Sequence, residues 1–236
     1  LTAHKKNLIW LAETEEIDYH EAFDISFTWK WMHDTEDYCK GKKSFNDLVS
    51  TLKYYDEAFP QEARRMYFTS NHDENSWNGT EYEKYNGFAK ALAVFSCCWP
   101  GIPLVYTGQE LPVTRRLKFF DKDDINWNTG TELHDFYKSM LMLRFNNPEI
   151  FSAKAVPQFI EGTLEKSLLA FCRQHENGMM IVLINMGNNL QEHTIQEDEL
   201  KGRYVNIFTG NSVEISNTNV LILSSGEWLL LYRSAH

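Results

Sequence analysis

The stretch "MYFTSNHDENSWNG", residues 66–79, runs from apolar and β-branched residues straight into Asn71-His72-Asp73-Glu74-Asn75. A short apolar run that stops abruptly at polar residues is the pattern of a buried strand where it leaves its sheet. It predicts a strand over 66–69 and an exit loop over 71–80. Two adjacent acids behind a histidine at such an exit make it a candidate site rather than an ordinary surface turn.

The same pattern recurs on both sides. Asn7 to Ala12, "NLIWLA", is an apolar run ended by Glu13-Thr14-Glu15-Glu16, and "FDISFTWKW", residues 23–31, is rich in β-formers. "IPLVYT", residues 102–107, precedes Gly108-Gln109-Glu110. Amphipathic stretches lie between: Ser44 to Phe59, with Ser44 as N-cap; Glu83 to Trp99, stopped by Pro100-Gly101; and Thr131 to Phe145, closed by Asn146-Asn147-Pro148. We read four β-α units, which predict a parallel sheet covered on both faces. From about Phe151 the texture changes to short alternating runs at 167–174, 179–187, 203–210 and 219–233, separated by Gly and Asn turns. That is an all-β module, read as a sandwich.

Composition narrows the function classes. A net charge of −10 and a pI near 5.3 exclude nucleic acid and anionic membrane as main partners, because both demand a basic face. No segment is apolar for long enough to predict a membrane span. Cys39, Cys97, Cys98 and Cys172 show no CxxC spacing, so a zinc site is not expected. Cys97-Cys98 reads as core. The chain opens on Leu1-Thr2-Ala3 without a signal-peptide pattern and reads as an internal start, with any export signal outside it.

Ligands of parallel α/β folds gather at the carboxyl ends of the strands. Here those ends carry Glu13, His72, Asp73, Gln109 and Glu110, while the strands are almost free of charge. Acids on one rim suit two chemistries. One is a cation held by Glu13, Asp73 and Glu74, although no DxDxDG loop or HExxH helix supports it. The other is glycoside hydrolysis, which needs a proton-donating carboxyl and a second carboxylate, helped by a third acid. Glu13 and Asp73 suit the acid and helper roles, and His72 a donor to a sugar hydroxyl.

At this point the motifs resemble those of the alpha-amylase family of glycoside hydrolases. "MYFTSNHDEN" resembles its strand-seven motif around Asn-His-Asp. "LIWLAET" resembles its strand-five motif, an apolar run ending in the catalytic Glu. "PGIPLVYTGQE", residues 100–110, resembles its strand-eight segment. "INWN", residues 125–128, then a helix and a β-module follow in the family's order, and Asp73 lies 60 residues after Glu13. The resemblance spans essentially the whole chain. It implies strands five to eight of a TIM-type (β/α)8 barrel over residues 1–148, then a C-terminal β-sandwich over 149–236.

By the same resemblance Glu13 is the general acid/base. Asp73 fixes sugar hydroxyls and stabilises the transition state, and His72 hydrogen-bonds the same sugar. Asn75 and Trp77 face neighbouring glucose rings, Trp77 being equally readable as packing. Glu15 rivals Glu13, because Thr14-Glu15-Glu16 stands where many members carry a Trp. Glu110 braces the rim and Glu74 is solvated. The family's Gly-x-Arg-x-Asp nucleophile motif and its Asp-x-x-x-Asn-His motif do not occur in this chain. The resemblance therefore implies a retaining enzyme on starch, maltodextrin or related α-glucans, of which this chain alone is inactive. It implies no cofactor within the chain, any calcium belonging to an upstream part. Exposed half-barrel edges would favour self-association. Export to the periplasm or medium rests on the family alone. A non-catalytic α-glucan-binding or regulatory piece is the competing reading.

Overall fold

The structure, a computed structural model, describes residues 8–130, 132–176 and 178–235. The first residues of the predicted 7–12 strand and the Leu1-Thr2-Ala3 opening lie outside them. Four short strands, β1 (Leu11–Ala12), β2 (Ile25–Phe27), β3 (Arg64–Tyr67) and β4 (Ile102–Pro103), form a parallel sheet in sequence order. Leu11 pairs with Ile25, Ile25 with Arg64 and Met66 with Ile102. Every strand therefore leaves the sheet on the same rim.

The helices depart from expectation in instructive ways. Between β1 and β2 there is only a 3-10 turn, Ile17–Glu21, so the first of the four predicted units has no α-helix. The predicted 23–31 strand stops at Phe27, and α1 (Trp29–Cys39) begins two residues on. Its buried residues Trp31, Met32, Thr35 and Glu36 follow helical spacing, which overrides the β-propensity of the aromatics. Helix α2 (Phe45–Ala58) is as expected, with Ser44 and Asp47 forming a capping box. The predicted exit loop holds a six-residue helix, α3 (His72–Trp77). The predicted 83–99 helix is split into α4 (Glu81–Tyr85) and α5 (Ala89–Cys98) at Asn86, whose φ is +49°. Helix α6 (His134–Asn146) follows the long 104–133 segment, in which the ladder of the predicted 102–107 strand is already lost after Pro103.

Every residue of α5 except the exposed Lys90 is buried, so the helix lies inside the molecule along most of its length. Phe95 is its hub. Its ring meets Trp31 of α1, Tyr67 of β3, Trp99 and Phe171. Gly101, at φ +132°, lets the chain leave α5 for β4; a Cβ there would stand 2.2 Å from the Arg65 carbonyl.

The second part begins after α6. Strands β5 (Gln158–Phe159), β6 (Leu168–His175), β7 (Gly178–Asn185), β9 (Gly202–Asn206), β10 (Ser212–Ile215) and β12 (Trp228–Ser234) form one antiparallel sheet in the order β10-β9-β12-β7-β6-β5. β8 (Gln191–His193) and β11 (Leu221–Leu223) form a two-stranded sheet. The predicted 219–233 strand is thus two strands, broken at the Gly226 turn. Alternate residues serve different cores, as the pleat requires. Leu169, Phe171, Val182 and Ile184 join the α5 core, whereas Ala170, Cys172, Ile181 and Leu183 pack with Leu221 and Leu223.

Two arginines stitch the parts together at the carboxyl end of α5, where helix carbonyls lack internal partners. Arg144 of α6 donates to the carbonyls of Cys97 and Gly101. Arg173 of β6 donates to those of Cys98, Ser152 and Ala155. Burial lowers the Arg173 guanidinium to about 10, and nearby Arg144 adds to the shift. A shared core predicts shared unfolding. Phe95→Ala should cost about 3–5 kcal/mol and lower the midpoint of a single urea transition seen by both far- and near-UV circular dichroism. Two separate transitions, with the β-module unaffected, would contradict this.

Candidate active site

Glu13 directly follows Ala12 on the carboxyl rim and is exposed. Its neighbour two residues on is used differently. Glu15 accepts the Lys30 N–H at 2.8 Å, which caps α1, and accepts the Tyr55 hydroxyl. Burial pushes the Glu15 carboxyl above its ordinary range despite those donors. The two candidates are therefore separated by geometry: Glu15 ties β1 to α1 and α2, and Glu13 faces the rim.

Asn71 explains the local order of the opening stretch. Its buried side-chain oxygen accepts the N–H groups of Asp73 at 3.0 Å and Glu74 at 2.8 Å, the standard N-cap arrangement. The cap starts α3 immediately after the strand, so His72 and Asp73 fall in its first turn at the rim. His72 Nε2 lies 3.6 Å from Asp73 Oδ1. Glu13, His72 and Asp73 each bring one polar side-chain atom within 4.8 Å of the other two. Residues from two strand ends, 60 positions apart, thus converge on one point.

The remaining predicted residues are placed as follows. Asn75 is buried and accepts the Leu117 N–H at 2.7 Å, so its side chain holds the following loop rather than facing solvent. Trp77 is 61% exposed and packs edge-on and tilted against Phe119 and Phe120. Glu74, expected to be solvated, instead accepts Lys84 Nζ at 3.2 Å and the Asn78 amide at 3.0 Å. Lys84 is fully buried, and burial lowers its ammonium below the usual range, opposed by Glu74. A buried cation demands a carboxylate partner, and this demand turns Glu74 away from the rim. The cation set Glu13, Asp73 and Glu74 is therefore not assembled, and His72 takes the third place. Open and bearing two carboxylates, the observed trio could also ligate a divalent cation.

Strand β4 contributes support. The Gln109 amide donates to Thr69 Oγ1 at 2.8 Å and to Glu81 at 3.3 Å, and its oxygen accepts the Tyr106 N–H. Burial raises the Glu81 carboxyl above its ordinary range, against the lowering effect of the Gln109 amide and of nearby Lys84. Glu110 accepts the Gly108 N–H, the bracing use expected of it. Cys97 and Cys98 are buried as core, with the Cys97 thiol pushed up to about 12 by burial.

Sequence reading missed Phe119 and Phe120, which lie against Trp77, with the Phe119 ring stacked on His72 at 6.2 Å between centroids. The available signal was an aromatic pair inside the highly charged run "RRLKFFDKDD".

This arrangement can be compared with known proteins. The sequence model described as "Alpha amylase, catalytic domain" matches residues 2–150. Alpha-amylase 2 of Dictyoglomus thermophilum is 24% identical over 231 residues, covering 92% of this chain and 38% of that protein. Alpha-amylase MalA of Haloarcula japonica is 30% identical over 135 residues, covering 55% of this chain and 19% of that protein. The crystal structure of the noncanonic maltogenic alpha-amylase AmyB from Thermotoga neapolitana superposes with a TM-score of 0.81 at 22% identity, over 98% of this chain and 56% of that one. The alpha-amylase of Geobacillus thermoleovorans complexed with acarbose gives 0.77 at 16%, over 100% and 55%. The chain therefore spans between about a fifth and just over half of the length of these relatives. With the catalytic-domain model matching most of its length, the chain belongs to the alpha-amylase family of glycoside hydrolases.

Proposed function

We propose that this chain supplies the acid/base side of a retaining glycoside hydrolase that cleaves α-glucosidic bonds of starch, maltodextrin or related α-glucans. The observation that carries the reading is the convergence of Glu13, His72 and Asp73 on one rim of a parallel sheet. In this reading β1 to β4 are strands five to eight of the barrel. Residues 1–148 belong to the catalytic domain, and 149–236 form the C-terminal β-domain.

The chemistry follows from the groups present. Glu13 gives its proton to the glycosidic oxygen as the bond to the anomeric carbon breaks. An Asp from outside this chain attacks that carbon and forms the glycosyl-enzyme. Glu13, now a carboxylate, takes a proton from water as the water oxygen displaces the Asp, which restores both groups. Asp73 and His72 hold hydroxyls of the sugar being cleaved. No cofactor enters any of these steps. Export of the whole protein to the periplasm or medium fits a polymeric substrate.

The test is Glu13→Gln in the longer protein that carries this chain. Turnover of maltooligosaccharides should fall by about 10²–10⁴-fold, the usual worth of a positioned acid/base; near-normal turnover would refute the assignment. The purified 236-residue chain should release no reducing sugar from starch, because it lacks the nucleophile. Among the described residues the outer edges of β1 and β4 have no strand partner, and Leu8, Ile9 and Leu11 are exposed at β1, so the same sample should sediment as a dimer or larger species. Hydrolysis by the pure chain, or a monodisperse monomer, would overturn the respective expectation.

A further inference from the structure

We infer that a cleft at the amino ends of β3 and β4 is a binding site for a phosphate group, carried by free phosphate or by a phosphomonoester. The inference does not depend on the proposed glycosidase chemistry, because the cleft adjoins the sheet edge opposite the rim of Glu13, His72 and Asp73. It encloses about 850 Å³ between the residues that lead into the two strands and the turn that follows α6. That volume lies in the range of small-molecule sites. Arg64 and Arg65 of β3 and Arg144 of α6 line it, against two acids, Asp56 and Glu62. Arg173 stands directly behind, its guanidinium 5.4 Å from the centre of the Phe151 ring that forms part of the wall.

This positive charge is not neutralised from within. Among the described residues of the cleft, the one ion pair joins Arg65 Nη2 to Asp56 at 3.4 Å, a long contact. Arg65 is 7% exposed, its Nη1 reaches the Tyr55 carbonyl only at 3.4 Å, and its Nε is buried without a partner. Arg144 and Arg173 direct their N–H groups at backbone carbonyls, which satisfies the donors and leaves the charges. Burial lowers the Arg144 guanidinium, and the Arg64 charge adds to the shift. Buried cations without carboxylate partners call for an anion. They are the more telling in a chain whose net charge is −10.

The chemistry of the cleft selects the anion. The four guanidinium groups outnumber the two carboxylates by two charges, which a dianion balances and a single carboxylate does not. Guanidinium N–H pairs also match two oxygens of one phosphate group. The cleft has room beyond that group, and Phe59, Phe151 and Val156 give it an apolar side, Val156 being 60% exposed. Such a wall suits the organic part of a phosphomonoester. An anion held against Arg144 would also brace the joint between the two parts of the chain, because Arg144 ties α6 to the carboxyl end of α5.

The test is isothermal titration calorimetry of the 236-residue chain with inorganic phosphate and, separately, with glucose 6-phosphate, the ionic strength being held constant with sodium chloride. Binding should saturate at one ligand per chain. Tighter binding of the ester supports a phosphomonoester site, and equal or weaker binding of the ester supports a site for free phosphate. Arg64→Gln, which removes an exposed charge and leaves the core intact, should weaken binding about tenfold, the loss of one charge-assisted contact. Arg203→Gln changes the net charge equally but removes a side chain of β9 that is 80% exposed, and it should leave affinity unchanged. Failure of both ligands to bind, unaltered affinity of Arg64→Gln, or an equal loss in Arg203→Gln would each overturn the site.

Discussion

Parallel pairing is the constraint on which the rest depends. Strands that run the same way must all leave the sheet at one edge, so whatever follows each strand is delivered to a common rim. The ladder from Leu11 through Ile25 and Met66 to Ile102 is only two to three residue pairs deep. It is still enough to bring Glu13, at the end of β1, to Asp73, beyond the end of β3. A one-residue slip of β3 would turn Asn71 and the helix it caps away from Glu13. The polar groups of Thr28, Thr69 and Gln109 guard against such a slip by linking neighbouring strand exits.

A ladder of two to three residue pairs cannot hold a rim rigid by itself. The scaffold behind it does so, through α5 and the antiparallel sheet it leans on. Phe95 touches the parallel sheet on one side and Phe171 on the other, while Arg144 and Arg173 satisfy the carbonyls at the helix end. The β-module is therefore structurally part of the site's foundation and not an appendage to it. On the rim side, the buried Lys84–Glu74 pair and the Asn71 cap fix α3 from both faces. The acids at the rim stay open to solvent while everything beneath them is committed.

Much of this was legible in the residues. Apolar runs ending in polar clusters marked β1, β3 and β4, and Ser44 with Asp47 marked the start of α2. Glu13, His72 and Asp73 could be chosen because each follows such a run. What escaped reading was set by tertiary context. "TWKW" has the composition of a strand, but burial of Trp31 against Phe95 of α5 and of Met32 against Phe27 and Phe68 makes it the start of α1. Asn71-His72-Asp73 reads as a loop because the residues that cap helices are the residues that make turns. Glu74 was indistinguishable from a solvated acid until its partner Lys84 proved to be buried. The exposure of Phe119 and Phe120 is a property of the fold, since aromatic residues in a sequence point to a core first.

The central claim is that Glu13 moves the proton on which glycosidic cleavage depends. Leaving-group dependence tests it most directly, because fluoride departs without protonation whereas a sugar alkoxide does not. In the longer protein, Glu13→Gln should lose its first turnover on maltooligosaccharides by orders of magnitude while still releasing fluoride from α-maltosyl fluoride at close to the wild-type first-turnover rate. Equal loss on both substrates, or loss on neither, would contradict the account.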